Sequence, residues 1–445
     1  MEEQAGRSKS VSGSQEVRDK SAQYLFPAVA SYYQEPLVLE SGAGLRVRDA
    51  DGNEYLDFFG GILTISIGHC DPRVTGPLKA QIDRLGHVST LYPTLPVVEL
   101  AERMARLTPG ELKRSMFTAS GTEAVDTAVV LAQVFTGAQE IIALRHGYSG
   151  RSLLAQSLTG HSSWRAVPSQ VAGVKHALSP YCYRCPLGLS YPSCEVKCAT
   201  DIEELIQTTT SGEIAGLLAE PIQGVGGFIT PPAEYFQVAV DIVRRHGGIF
   251  ICDEVQTGFG RLGSKMFGIE HWGVEPDIMT MAKGIANGMP LGVTIMTEEI
   301  AQAFQKATIS TFGGNPMSCA AAGATLDVIE EEDLPRNAEV QGTRLREGLL
   351  QLQQRFPAWI GDVRGKGLMQ AIELVVDETA GDRTPNKAVT AELFEQTRER
   401  RLLIGGGGLY GNVIRISPPL TVGPSEVDEA LAVLGESFEA MEASR

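Results

Sequence analysis

Between residues 97 and 300 the chain alternates short apolar runs with helix-length segments, and this rhythm constrains its fold more than any other feature. The runs are SMFTA, EIIALR, IAGLLAE, GIFICDE, DIMTMA and GVTIM. Each is strand-sized and apolar at successive positions, as a strand covered on both faces must be. Helices between such strands lead back to the same edge, so the pattern predicts a mostly parallel sheet with helices on both faces. Before it, PLVLESGAGLRVRDADGNEYLDF alternates, with turn signals at Gly42, Gly44 and Asp51-Gly52, and reads as a small antiparallel entry segment. After it comes a long helical stretch interrupted at Pro335. GLMQAIELV, the helix KAVTAELFEQTRERR, LLIGGG, NVIRISPPL and a last amphipathic helix from Ser425 then predict a smaller α+β domain. The division expected is a flexible tail at 1–22, a segment at 23–70 packing with the small domain, a large domain at 71–315 and a small C-terminal domain at 316–445.

Composition narrows the function classes. A formal net charge of −16 disfavours nucleic acid or an anionic membrane as main partner, because phosphate binding needs a basic surface. No stretch reaches the ~18 uninterrupted apolar residues of a membrane span. The start, MEEQAGRSKSVSGSQEVRDKSAQ, is polar, without the apolar centre of a secretion signal or the acid-poor, Arg-rich character of a transit peptide; a cytoplasmic protein is expected. Of the seven cysteines, Cys70, Cys252 and Cys319 sit in apolar or small-residue contexts that read as buried packing. The other four, Cys182, Cys185, Cys194 and Cys198, crowd into YCYRCPLGLSYPSCEVKC, inside an irregular stretch at about 157–199 that reads as an insertion. A structural metal, a labile disulfide and plain packed thiols all fit that spacing. No histidine lies between them, and no metal is assigned to the chemistry.

Three motifs carry chemistry. In GGIFICDEVQTGFGR, Asp253 stands where an apolar run stops; in a parallel sheet that edge faces the ligand cleft, although a strand-end Asp is also a common cap. In DIMTMAKGIANGMPLG, Lys283 follows a buried-looking strand. A buried ammonium costs several kcal/mol, and the lowered pKa makes the amine a nucleophile toward carbonyls; a snorkelling surface lysine is the plainer reading. In FTASGTEAVDTAVVL, Ser120, Gly121 and Thr122 open a helix whose first N–H groups suit a phosphate, or simply form a cap. Together they match the needs of pyridoxal phosphate: a lysine for the Schiff base, a carboxylate for the ring nitrogen and an anion site. A nicotinamide site would instead need a glycine fingerprint after a first strand with an acid ~20 residues on, and none stands in that context.

The motifs ASGTEAVDTA, RHGYSGR, AEPIQG, DEVQTGFGR, AKGIANGMPLG and TFGGNP together resemble the class III (ornithine and ω-amino acid type) pyridoxal phosphate aminotransferases, over about residues 24–440. The resemblance implies the fold type I architecture, with a seven-stranded, mostly parallel sheet in the large domain. It implies Lys283 as Schiff-base lysine and proton shuttle, Asp253 at the pyridine nitrogen and Gln256 at the ring hydroxyl. Tyr148 would stack on the ring, and Ser120, Gly121 and Thr122 would hold the phosphate. Thr311 would reach the phosphate of the neighbouring subunit, making a homodimer. Arg415 would take a substrate carboxylate, and Glu220 would pair with Arg415 when that arginine is idle. Many relatives read EPIQGE, whereas Val225 stands here in place of the second acid.

The activity implied is transfer of an amino group from an amino acid, ω-amino acid or amine to a small keto acid such as pyruvate or glyoxylate, in two half-reactions. YPTLPVVELAERM, PYCYRCP and GGGGLYGNVIRISPPLTV look most like the alanine-glyoxylate (second type) and ω-amino acid:pyruvate branch. Decarboxylases, racemases and phospho-lyases of the same fold are the alternatives, because the bond set perpendicular to the ring decides the outcome. A non-catalytic binding protein is a further alternative, against which the intact Lys283 speaks.

Overall fold

The computed structural model describes residues 13–167 and 171–444. Three sheets organise it. Strands β1 (Leu39–Ala43), β2 (Arg46–Asp49) and β3 (Glu54–Asp57) form an antiparallel entry sheet. The central sheet holds β4 (Leu112–Thr118), β5 (Ile141–Leu144), β6 (Val174–Ala177), β7 (Gly216–Ala219), β8 (Ile249–Asp253), β9 (Ile278–Met281) and β10 (Gly292–Thr297). Its order is β4-β10-β9-β8-β7-β5-β6, and only β10 runs against its neighbours. The C-terminal sheet holds β11 (Ile360–Lys366), β12 (Met369–Asp377), β13 (Asp382–Pro385), β15 (Gly405–Gly407) and β16 (Val413–Ile416), while β14 (Leu402–Leu403) crosses to pair with β3.

Strand β8 shows why the apolar runs become two-faced strands. Ile249 and Ile251 belong to a core with Val125, Ala128 and Val129 of the helix Gly121–Thr136. Phe250 and Cys252, one position out of phase, join the opposite core with Phe236, Val240 and Val243 of the helix Tyr235–Arg245. A period of two with both faces covered leaves Ile249 to Cys252 apolar throughout, and all five residues of β8, the terminal Asp253 included, are buried.

Two expectations are corrected in detail. Within the stretch read as an insertion, Val174–Ala177 forms edge strand β6, parallel to β5; residues 168–170 of that stretch lie outside the described residues. The strand is four residues long and carries Lys175 and His176, so no apolar run announced it. Cys70 is exposed, whereas Cys252 and Cys319 are buried. The expected tail at 1–22 lies partly outside the described residues, which begin at 13. From there Ser14–Tyr24 is helical, and buried Ser14 donates to Asp51 at 2.6 Å.

The antiparallel strand β10 also sets the turn that opens the helix Gly121–Thr136. Gly292 pairs with Thr118, and a Cβ there would overlap the carbonyl of Ser120 and the hydroxyl of Thr118. Gly292→Ala is therefore expected to lower stability by about 1–3 kcal/mol through overpacking, read as a lower urea midpoint with an unchanged slope.

Candidate active site

Five chain segments leave the central sheet at one edge. Ser120 follows β4, Tyr148 follows β5, Glu220 follows β7, Asp253 ends β8, and Lys283 follows β9. Because β4, β5, β7, β8 and β9 all point the same way, residues spread over 160 positions meet at their carboxyl ends. There they line a cavity of about 210 Å³, among whose walls are Gly121, Thr122, Tyr148, Glu220, Asp253, Gln256 and Lys283.

Lys283 begins a single 3₁₀ turn and holds a left-handed backbone conformation, φ 44°. A non-glycine residue there is under strain, of order 1–2 kcal/mol, which the packed neighbourhood must offset. Burial pushes its amine below the ordinary lysine value, while the charges of Asp253 and Glu220 pull the other way. Burial likewise raises Asp253 against the pull of Lys283, and raises Glu220, with Asp253 adding repulsion. Lys283 therefore answers to both carboxylates, and Glu220 to both of the other groups.

The carboxylates are oriented by backbone. Asp253 accepts the Val255 N–H at 3.0 Å. Glu220 accepts the N–H groups of Tyr148 at 3.0 Å and of Gly224 at 2.8 Å. Tyr148 meets Trp164 edge-on, with ring centroids 5.8 Å apart. Gln256 is buried, and among the described residues its side-chain oxygen has no hydrogen-bond partner. A buried acceptor left without a donor in the wall of a cavity marks the place of a ligand hydroxyl or N–H.

Gly121 and Thr122 occupy the first two positions of the helix Gly121–Thr136, where backbone N–H groups have no intrahelical acceptor. A Cβ at Gly121 would stand 3.3 Å from Ala282 and Val255, so glycine lets the helix end approach the lysine segment. Ser120 does something else. Its hydroxyl caps the helix, accepting from Glu123 N–H and donating to the Glu123 carboxylate at 3.0 Å, and it is not part of the cavity wall.

Two further expected residues, Thr311 and Arg415, lie apart from this wall. Thr311 is exposed and outside this cavity. Arg415 on β16 is buried between the rings of Phe59 and Phe228, donating to the carbonyls of Gly406 at 2.6 Å and Gly224 at 3.3 Å. Glu220 and Arg415 form no ion pair among the described residues: both are engaged by the turn that follows β7, Glu220 through Gly224 N–H and Arg415 through the Gly224 carbonyl. Trp164, which no motif singled out, packs edge-on against Tyr148 from outside the cavity wall. The four clustered cysteines are free thiols lining one small cavity away from Lys283. Burial raises Cys182 and Cys198, and among the described residues no group of three or more His, Cys, Asp or Glu side chains is arranged to hold a metal ion.

The residues present fit pyridoxal phosphate: an amine, a carboxylate, an unpartnered acceptor and a helix end surround one pocket. The family described as Aminotransferase class-III matches residues 28–438. The chain is 42% identical over 426 residues to the Arabidopsis thaliana protein named alanine–glyoxylate aminotransferase 2 homolog 2, mitochondrial, covering 96% of this chain and 87% of that one. It is 34% identical to a leucine/methionine racemase from Thermococcus litoralis, covering 95% of each chain. An amine transaminase from an uncultivated Pseudomonas species, solved in its PLP-bound form, superposes with a TM-score of 0.86 at 34% identity, over 94% of this chain and 98% of that one. The chain belongs to the class III aminotransferase family. Its reaction class is transfer of an amino group and its cofactor is pyridoxal phosphate.

Burial of Lys283 has a sign that can be measured. In the cofactor-free protein the neutral amine is expected to prevail at lower pH than for ordinary lysine. The pH midpoint of reductive labelling at Lys283 should fall below the ~10.4 of a model lysine, and a midpoint at or above it would contradict this account.

Proposed function

We propose that this enzyme moves the amino group of an amino acid or ω-amino acid to a small 2-keto acid such as pyruvate or glyoxylate, with Lys283 as its proton carrier. The convergence of Lys283, Asp253, Glu220 and the helix end on one buried pocket carries the reading. Pyridoxal phosphate, when bound, supplies an electrophilic carbonyl carbon and a ring that takes up the electrons released at the donor α-carbon.

The rest is the work of the chain. The Lys283 Nζ, whose pKa desolvation lowers against the pull of Asp253 and Glu220, takes the proton from the donor α-carbon and delivers it elsewhere in the same pocket. Asp253, raised by burial, becomes a stable anion once a cationic nitrogen faces it, which keeps that nitrogen protonated. Gln256 offers its free oxygen to the ring hydroxyl. Tyr148 walls one side of the pocket, and Trp164 braces its ring edge-on. Gly121 and Thr122 hold the phosphate through backbone N–H groups, and Ser120 keeps that helix end in shape. Arg415 receives the substrate carboxylate. It has no carboxylate partner of its own among the described residues, and its planar fork suits bidentate capture.

Thr311 acts in the second subunit of a homodimer. Its exposure, and that of the neighbouring Phe312 and of Leu91 and Tyr92 on the adjoining segment, supports this. Cytoplasmic location belongs to the same proposal. A mitochondrial relative makes cell fractionation its test.

Three experiments bear on these roles. Lys283→Ala should retain the cofactor without a covalent bond and lose turnover by at least about 10²–10⁴-fold, the range for removal of a general base; retained multiple turnover would refute the assignment. Thr311→Ala should weaken cofactor binding without altering the dimer mass in sedimentation. The similarity to a racemase favours one second reading, inversion of an amino acid at its α-carbon. Incubation of a single amino acid enantiomer with glyoxylate as acceptor decides it: accumulation of the donor's own keto acid together with glycine supports transfer, and loss of optical rotation without that keto acid supports racemisation.

A further inference from the structure

A second arginine stands beside Arg415. Arg364 on β11 and Arg415 on β16 are both paired with Ala371 of β12, the strand between theirs. Directly paired residues of an antiparallel sheet point to the same face, so both guanidinium groups leave the sheet on one side, separated by the small Ala371 side chain.

Both end on the same turn. Arg415 donates to the Gly224 carbonyl at 3.3 Å, and Arg364 donates through Nε to the Gly227 carbonyl at 2.7 Å. The turn closes on itself through the Gly227 N–H and the Gly224 carbonyl, 3.1 Å apart, and its Gly224 N–H is held by Glu220. Gly227 has φ 98°, and a Cβ there would stand 3.1 Å from Arg364, so the fit leaves no room for a side chain. Moving the Gly227 carbonyl therefore moves the Gly224 carbonyl that steadies Arg415.

Unlike Arg415, Arg364 is fully neutralised. Its Nη1 reaches Glu373 at 2.8 Å and Asp362 at 2.7 Å, and its Nη2 reaches the Tyr181 hydroxyl at 3.1 Å. Tyr181 also donates to Glu373 and lies under the guanidinium, 4.9 Å from ring centroid to Cζ. Arg184 completes the ring of contacts on Glu373. Tyr181 and Arg184 come from YCYR, the start of the cysteine-rich segment, so this segment supplies the clamp on Glu373.

We propose that Arg364, fixed by Glu373 and by Tyr181 of the cysteine-rich segment, is a positioning residue that sets the geometry of the carboxylate site at Arg415 through the Gly224–Gly227 turn. It touches neither substrate nor cofactor. The inference rests on Arg415 being the carboxylate site. The mild variant is Tyr181→Phe, which keeps the ring and removes the hydroxyl shared by Arg364 and Glu373. Arg364→Lys keeps the charge and loses the fork.

The test uses the holoenzyme and two readouts, KM for pyruvate and the inhibition constant of propanoate, a carboxylate without an amine. Both should rise about tenfold in Tyr181→Phe, the order of effect of an unsatisfied buried hydrogen-bonding group, and further in Arg364→Lys. The kcat at saturation and the cofactor dissociation constant should stay within about twofold, because a transition-state or folding defect would move those instead. Unchanged propanoate inhibition in folded Tyr181→Phe would overturn the proposal, as would equal losses in kcat and cofactor affinity. Arg415→Ala separates the two layers: if it leaves propanoate inhibition unchanged, the carboxylate site itself is misassigned, whereas a rise there with none in Tyr181→Phe removes only the positioning role.

Discussion

Three ionisable groups meet at the carboxyl edge of the central sheet, Asp253 and Glu220 buried and Lys283 partly so, and the architecture of the chain follows from keeping them there. An isolated buried charge would be expelled or neutralised. Here the amine is pushed toward neutrality by burial and pulled back by two carboxylates, so its charge answers to whatever enters the pocket. Holding such a cluster requires rigid supports on every side. Parallel strands provide them, because their ends are fixed by two layers of helices packed on alternate side chains of each strand.

The second organising element is the turn after β7. Its backbone satisfies Glu220 from one side and receives Arg415 and Arg364 from the other, so a single ten-residue segment, Glu220 to Ile229, couples the central sheet to the C-terminal sheet. Glycines at 224, 226 and 227 follow from that crowding: a Cβ at 224 would overlap the Gln256 amide, and one at 226 would press on His146. The cysteine-rich segment finds its place in the same frame. Its thiols line a cavity away from the lysine, while Tyr181 and Arg184 reach Glu373 of the C-terminal sheet and Tyr183 reaches Glu378 in the turn just after β12.

Much of this was legible in the residues. Apolar runs five or six residues long, each closed by a chemically distinctive residue, announced both the sheet and the edge that carries the site; Asp253 and Lys283 stand where their runs end. Strand β6 was not legible, because an edge strand has solvent on one side and shows no continuous apolar run. Nor was the role of Ser120, since a helix cap and a phosphate ligand use the same residue type and differ only in what the hydroxyl meets. It meets Glu123. The partner of Glu220 was also decided by close approach: expected at Arg415, the carboxylate is satisfied by two backbone N–H groups instead.

The amino-acid sequence by itself determined the layered fold and pointed to the lysine, the acid and the helix start that the structure brings to one cavity. Strand periodicity and local chain geometry are properties of neighbouring residues. The strand order that sets Glu220 beside Asp253, the shared face that aims Arg364 and Arg415 at one turn, and the clamp from Tyr181 to Glu373 were decided only by the tertiary structure. These are meetings of residues up to about 190 positions apart, and they are governed by register and burial, which no local pattern of residue types records.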